Sequence, residues 1–209
     1  MDSLVLSHSH LDHTWGVGPL VRYYTEGDSE KRPLARPAVV AHPLSLSSVS
    51  ADGFRELGPV LSQDRLSRHF ELRLSRSPVQ LSRNIVFLGE IPRKHSFEGT
   101  ATFGHKHGSD QPDTVPEDSA LVCRTREGLV IVTGCSHSGI CNIISYAVKV
   151  CKDERIADII GGFHLQQPSQ EQLEGTIDFL KSISPLQVHA CHCTDLASKI
   201  ALARAIPLK

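Results

Sequence analysis

The stretch "LSHSHLDHTWG", residues 6–16, constrains this chain more than any other part of it. Three histidines and one aspartate (His8, His10, Asp12 and His13) fall within six positions. They follow "SLVLSH", residues 3–8, which reads as a short buried strand. If that strand continues to residue 10, His8 and His10 point to the same side, because strand side chains alternate. Asp12 and His13 then fall in the turn leading into a helix and can aim at an adjacent point. One short segment can therefore offer two ligands to each of two metal ions. Imidazole with carboxylate suits Zn²⁺, Fe²⁺ or Mn²⁺. A fold that uses this segment has to bring its remaining ligands from far along the chain.

The second half of the sequence supplies candidates. "SALVCRT" and "GLVIVTG" read as two strands of a hairpin. "SGICNIISYAVKVCK" carries Ile140, Ile143, Ile144, Ala147, Val148 and Cys151 at helical spacing. "IADIIGG" reads as a strand, and residues 169–183 read as a helix that opens on a Ser169–Gln172 capping box after Pro168. "LQVHACH" is the last strand and "DLASKIALARA" the last helix. This alternation implies layered α/β structure. His137, His164 and His192 each follow one of these strands, about one strand plus one helix apart. Strand C-terminal ends are where α/β folds place ligands.

The first half is less regular. "TWGVGPLVRYYTE" can be helical, although Gly16, Gly18 and Pro19 weaken its start. "EGDSEKRPLARP" reads as a polar loop and "AVVAH" as a strand. Residues 43–83 form a mixed, variable segment. "NIVFLGEI" is again strand-like, and residues 92–117 read as a long lid-like loop. The length of 209 residues favours one domain, 1–209, with a real hydrophobic core. The net charge of −1 offers no basic footprint for nucleic acid or an anionic membrane. No apolar run approaches the ~20 residues of a membrane span, and no leader segment is evident, so a cytoplasmic protein is expected. The six scattered cysteines are expected to be reduced, partly buried thiols. The oligomeric state is not legible.

"HSHLDH" matches an HxHxDH motif, and with the distant single histidines it resembles the metallo-β-lactamase fold superfamily. The resemblance implies a four-layer αββα fold. It also implies that His8, His10 and His137 hold one metal, and Asp12, His13 and His192 a second. His164 is counted with these ligands, and Asp12 and His164 are the expected catalytic residues. The cofactor is then one or two divalent ions, zinc first, with iron or manganese as alternatives. "GEIPR", "ED.ALV", "GLVIVTGCSHSGI.NII", "GGFHL" and "HCT" are similar, more narrowly, to the 7,8-dihydropterin-6-yl-methyl-4-(β-D-ribofuranosyl)aminobenzene 5′-phosphate synthases. That similarity implies a metal-dependent hydrolase or transferase acting on a small phosphate or diphosphate substrate, a pterin among them. Arg93, inside "GEIPR", is the candidate contact to substrate phosphate. In the superfamily the motif follows several tens of residues of N-terminal strands, so the chain reads as N-terminally truncated, without them.

Two departures carry consequences. Most members of the superfamily place an aspartate between the metals where this chain has His164. A neutral imidazole binds one metal through one nitrogen and cannot bridge, so unequal affinities are expected. "HCTD" stands where relatives often have HCTG, and either Asp195 or Thr194 can cap the following helix. His42 reads as a hydrogen-bonded strand-end residue. His105 and His107 read as exposed loop residues, and Lys94 as a solvated charge. His69, His95 and His189 carry weaker signals. Cys191 and Cys193 are expected to point away from His192 into the core. Two other functional classes remain open: a non-catalytic metal-binding protein and a di-iron redox protein.

Overall fold

The computed structural model describes residues 1–206, which fall into two compact units. The first unit holds Met1–Arg76 and Thr102–Glu117; the second holds Ser77–Ala101 and Asp118 onward. The chain begins with β1 (Ser3–Val5), α1 (Leu11–Thr14), α2 (Val17–Ser29) and β2 (Ala38–Ala41). A 3₁₀ turn (Pro43–Leu46), β3 (Val49–Ser50), α3 (Gln63–Ser67) and β4 (Leu72–Leu74) follow, so the mixed segment 43–83 is built of short elements. β5 (Val79–Gln80) and β6 (Ile85–Phe87) open the second unit, and β7 (His105–Lys106) returns to the first. The second unit then continues as β8 (Ala120–Arg124), β9 (Leu129–Thr133), α4 (Ile140–Cys151), β10 (Ile156–Gly161), α5 (Gln170–Ile183), β11 (Gln187–Ala190) and α6 (Leu196–Ala205).

In the first unit β1, β2 and β4 make a parallel sheet with β2 at its centre, in register Leu4↔Val39 and Val40↔Arg73. Every residue of β2, "AVVA", is buried, as a central parallel strand requires. Val39 and Ala41 join Leu6, Val17, Tyr24, Leu46, Leu66 and Phe70 in one core. β3 pairs with β7, which ties segment 102–117 to this unit. β1 stops at Val5, short of the expected His8: Leu6 N–H still donates to Val40 O at 3.0 Å, and the chain then turns into α1. α2 tolerates Pro19 because the N–H it lacks would have no partner in the first turn. α2 runs to Ser29, into the stretch expected as loop. Packing decides this, since Gly27 is buried at the site where a Cβ would meet Leu34 Cδ1 at 2.3 Å.

The second unit is a six-stranded sheet in the order β11-β10-β9-β8-β6-β5. β8 and β9 form the antiparallel hairpin, with Val122 opposite Ile131. β9, β10 and β11 are parallel, and α4 and α5 make the crossovers. The apolar stripe of α4 (Ile140, Ile143, Ile144 and Ala147) packs with Ile131, Ile159 and Leu180 in the main core. Ser169 caps α5 by accepting from Gln172 N–H at 3.1 Å. β6 ends earlier than expected: after Leu88 N–H donates to Ala120 O at 3.0 Å, Gly89 takes φ of +71° and turns the chain out. Among the described residues no helix is long and apolar enough to cross a membrane, and no disulfide forms.

Candidate metal centre

Four of the expected ligands gather within the first unit. The His8 ring centroid lies 4.8 Å from His10 and 4.2 Å from His13, and Asp12 Oδ2 lies 3.3 Å from His13 Nε2. His8 and His10 are buried. Because the strand has ended, its hydrogen-bond ladder does not orient them. Ser9, between them, is held instead: its hydroxyl donates to Glu117 Oε1 at 2.5 Å. Thr14 Oγ1 hydrogen-bonds to Ser9 O at 3.2 Å and to His10 O at 3.0 Å, which closes the turn into α1. Lys106 Nζ lies 2.7 Å from Glu117 Oε1 and 2.9 Å from Asp113 Oδ2, and both carboxylates are buried. Segment 102–117 therefore carries the charge network behind the ligand motif. Phe103 adds an edge contact to His10, 5.3 Å between centroids. Burial pulls the His10 pKa down to about 4 against the opposing pull of Asp12 and Asp113, which keeps its imidazole neutral and able to donate a lone pair.

The other candidates lie in the second unit, on three loops that leave the C-terminal ends of β9, β10 and β11. Those loops are bonded to one another. Gly162 N–H donates to Gly134 O at 2.8 Å, Cys191 N–H to Gly161 O at 2.7 Å, and Asp195 N–H to Leu165 O at 2.9 Å. Ser136 Oγ donates to Gly162 O at 2.5 Å, and Phe163 N–H to Thr194 Oγ1 at 3.1 Å. Gly161 takes φ of +140°, and a Cβ there would lie 2.3 Å from Thr133 O. Ser136, His164 and Cys193 all take positive φ, so strained backbone is concentrated in these loops. His137 is buried with its ring 4.5 Å from that of His164, whose pKa is lowered by burial. His192 is exposed, and Cys135 Sγ lies within 4.8 Å of its imidazole donor atom.

Sequence reasoning missed the side chains that brace these loops. Asp118 Oδ2 accepts from Ser138 N–H at 2.9 Å and from Ser138 Oγ at 2.5 Å. Glu98 Oε1 accepts from Asn142 N–H at 2.7 Å and Oε2 from Cys141 N–H at 3.2 Å, which satisfies the N-terminus of α4. Burial pushes the Glu98 carboxyl up to about 7 despite these bonds. Gly139 makes room for it: φ is +94°, and a Cβ would stand 2.2 Å from Glu98 Cδ. Asp118 lies in the quoted "ED.ALV" pattern, whereas nothing local in "SFEGT" marks Glu98.

Arg93 is exposed, and its Nη1 donates to Gly99 O at 2.6 Å. Backbone N–H groups of Lys94 and His95 donate to Asn142 Oδ1 at 2.6 and 3.1 Å. His42 is buried at the end of β2 and accepts from Leu44 N–H at 3.1 Å. His105 and His107 are exposed. His189 is exposed and lies 3.4 Å from Asp158 Oδ2. Cys191 differs from expectation: it is exposed, because it follows the sheet's edge strand. Cys193 is half-buried and donates to Cys135 O at 3.3 Å. Asp195, not Thr194, caps α6: it accepts from Ser198 N–H and from Gln167 N–H, each at 2.7 Å, and these bonds hold its carboxyl below the usual range.

No family model matches the chain. The 7,8-dihydropterin-6-methyl-4-(β-D-ribofuranosyl)-aminobenzene-5′-phosphate synthase of Methanocaldococcus jannaschii is 31% identical over 202 residues, covering 93% of this chain. The chain spans 66% of that synthase's length. An uncharacterized protein of the same organism is 29% identical over 204 residues, covering 97% of this chain and 73% of its own length. The crystal structure of a metal-dependent hydrolase of the β-lactamase superfamily matches with a TM-score of 0.78 at 25% identity, over 98% of this chain and 73% of that one. Sequence and structure thus point the same way, and this chain, with its metallo-β-lactamase fold, belongs to the metallo-β-lactamase superfamily.

Proposed function

We propose that the chain is a metal-dependent enzyme acting on a small phosphate or diphosphate compound, as a hydrolase or as a transferase of the synthase type. The observation that carries this reading is the gathering of donors: four in one turn of the first unit, and more on three mutually bonded loops of the second. The donor set fits a divalent cation. Buried neutral imidazoles and a carboxylate suit zinc first, with iron or manganese as alternatives. His8, His10, Asp12 and His13 would offer donors from the first unit, and His137, His192 and His164, the last beside His137, from the second. When bound, the metal supplies Lewis-acid activation of a phosphoryl oxygen.

The chain's own residues do the positioning. Glu117, through Ser9, fixes the orientation of the His8–His10 pair, so the ligands need no reorganisation. Asp118 and Glu98 do the same for the loop that carries His137. Neutral His164 cannot bridge two cations, and this supports one tight and one weaker ion. Arg93 offers an exposed guanidinium suited to a phosphate group. In the synthase-type reaction a pterin diphosphate would lose pyrophosphate to an attacking ribofuranosylaminobenzene phosphate, and the similarity to the synthase supports the dihydropterin and ribofuranosylaminobenzene phosphate as the joined parts. The test is bound metal and turnover measured together. Purified chain should carry zinc, iron or manganese and release pyrophosphate from a dihydropterin diphosphate or hydrolyse phosphate esters, and a chelator should stop both. Turnover that persists in the metal-free chain overturns the reading. Replacing His164 by Asp should raise affinity for the second ion; unchanged affinity removes His164 from the ligand set.

A further inference from the structure

We infer that Cys135 is itself a metal ligand, a thiolate donor paired with His192. The inference rests on the metal-centre reading above and refines its chemistry. Two kinds of buried cysteine stand side by side in the second unit. Cys141 lies in the main apolar core, in the first turn of α4, and burial drives its thiol pKa far up. Such a cysteine acts as a small hydrophobe. Cys135 is equally buried, at 4% exposure, yet it is outside that core. It sits in "TGCSHSG", two residues before His137, on the loop at the C-terminal end of β9. Its Sγ lies within 4.8 Å of the His192 donor nitrogen. Two tetrahedral ligands of one zinc ion, at about 2.3 Å for sulfur and about 2.0 Å for nitrogen, stand roughly 3.5 Å apart, so only a small side-chain adjustment separates the pair from ligation.

The surroundings hold Cys135 for this role. Its carbonyl accepts from Cys193 Sγ at 3.3 Å, its neighbour Gly134 accepts from Gly162 N–H at 2.8 Å, and Ser136 takes a left-handed φ of +63°. Downstream, Asp118 grips Ser138 by backbone and hydroxyl. A loop braced at this many points presents its donor with little reorganisation. Donor chemistry points the same way. His137, His164 and His192 offer imidazole nitrogens, and of these four candidate donors Cys135 offers the one sulfur. On ligation the thiol proton passes to solvent. A thiolate also makes the site softer, selecting Zn²⁺ or Fe²⁺ over Mn²⁺ and Mg²⁺.

Cobalt reports the difference. The full metal-free chain is loaded with Co²⁺, and bound cobalt is measured separately from the absorption spectrum. The expected wild-type spectrum has a near-ultraviolet thiolate-to-cobalt charge-transfer band. C135S should lose that band, keep the visible bands of histidine-bound cobalt, and bind Zn²⁺ at least about tenfold more weakly. The C191S/C193S double variant should keep the band, which pins it to Cys135 even if C135S fails to fold. Cobalt bound without the charge-transfer band overturns the thiolate ligand while leaving the metal centre intact. A band lost in C191S/C193S, or surviving in C135S, overturns the assignment to Cys135. No cobalt bound at all overturns the metal-centre reading and this inference with it.

Discussion

The two units hold their donors by opposite strategies. The first concentrates four of them in the hexapeptide 8–13, where β1 has already ended, and orients them through one distant segment, 102–117. The second spreads its candidate donors over three loops, each after one of the three parallel strands of a mixed sheet, and bonds the loops to each other. In the first unit, ligand identity is local and ligand geometry is non-local. In the second, regular topology delivers the ligands to one edge of the sheet, and buried carboxylates refine them. A substitution should therefore act differently in the two units.

The largest effect is expected from the proposed ligands themselves. H8A/H10A and, separately, H137A/H192A should each lower metal affinity by at least about 100-fold and abolish metal-dependent turnover, read by metal content and assay. If only one of the two pairs matters, the contribution of the other unit is broken. The next largest should come from the network behind the first unit's motif. K106A leaves Asp113 and Glu117 buried without their shared cation. Losing one partner of a buried ion pair costs about 3–5 kcal/mol, or roughly 10 °C in melting temperature for a chain of this size. Thermal unfolding of the metal-free protein measures it, and a shift under about 2 °C would show that the network does not brace the segment.

A titration separates the units further. In the second unit, the Glu98 carboxyl is raised to about 7 from an ordinary 4.5. The folded state then binds more protons than the unfolded state between those values, so stability falls as pH rises from about 4.5 to 7 and levels off above. The decline should amount to about 3 kcal/mol. E98Q should flatten that limb, measured by denaturant midpoints across the range. A wild-type curve already flat there would remove Glu98 from the account. The smallest effect is expected at α6. D195A removes the cap that accepts from Ser198 and Gln167. It should cost about 1 kcal/mol with little change in metal affinity. A large affinity loss would mean that Asp195 also positions His192.

Much of this was readable from local pattern. The alternation of β8 to α6, the cap at Ser169, and the places of His137, His164 and His192 follow from periodicity and cap chemistry over a few residues, while the choice of Asp195 over Thr194 needed the structure. Less local features read less well. β1 was expected to reach His8 and stops at Val5; α2 extends to Ser29 because Gly27 packs against Leu34; and Cys191 lies exposed because β11 is an edge strand.

The sequence by itself determined the histidine and aspartate candidates for metal binding, and that layered α/β structure would carry His137, His164 and His192 after its strands, because ligand chemistry and hydrophobic period are properties of short stretches. Only the tertiary structure decided what holds those ligands still. Ser9 finds Glu117 across more than a hundred residues, and Ser138 finds Asp118 and Asn142 finds Glu98 across tens. It likewise separated Cys135 from Cys141, two thiols six residues apart, one beside a histidine donor and one in the core. A buried polar group has to find a partner wherever the fold can supply one, and no local rule names that partner in advance.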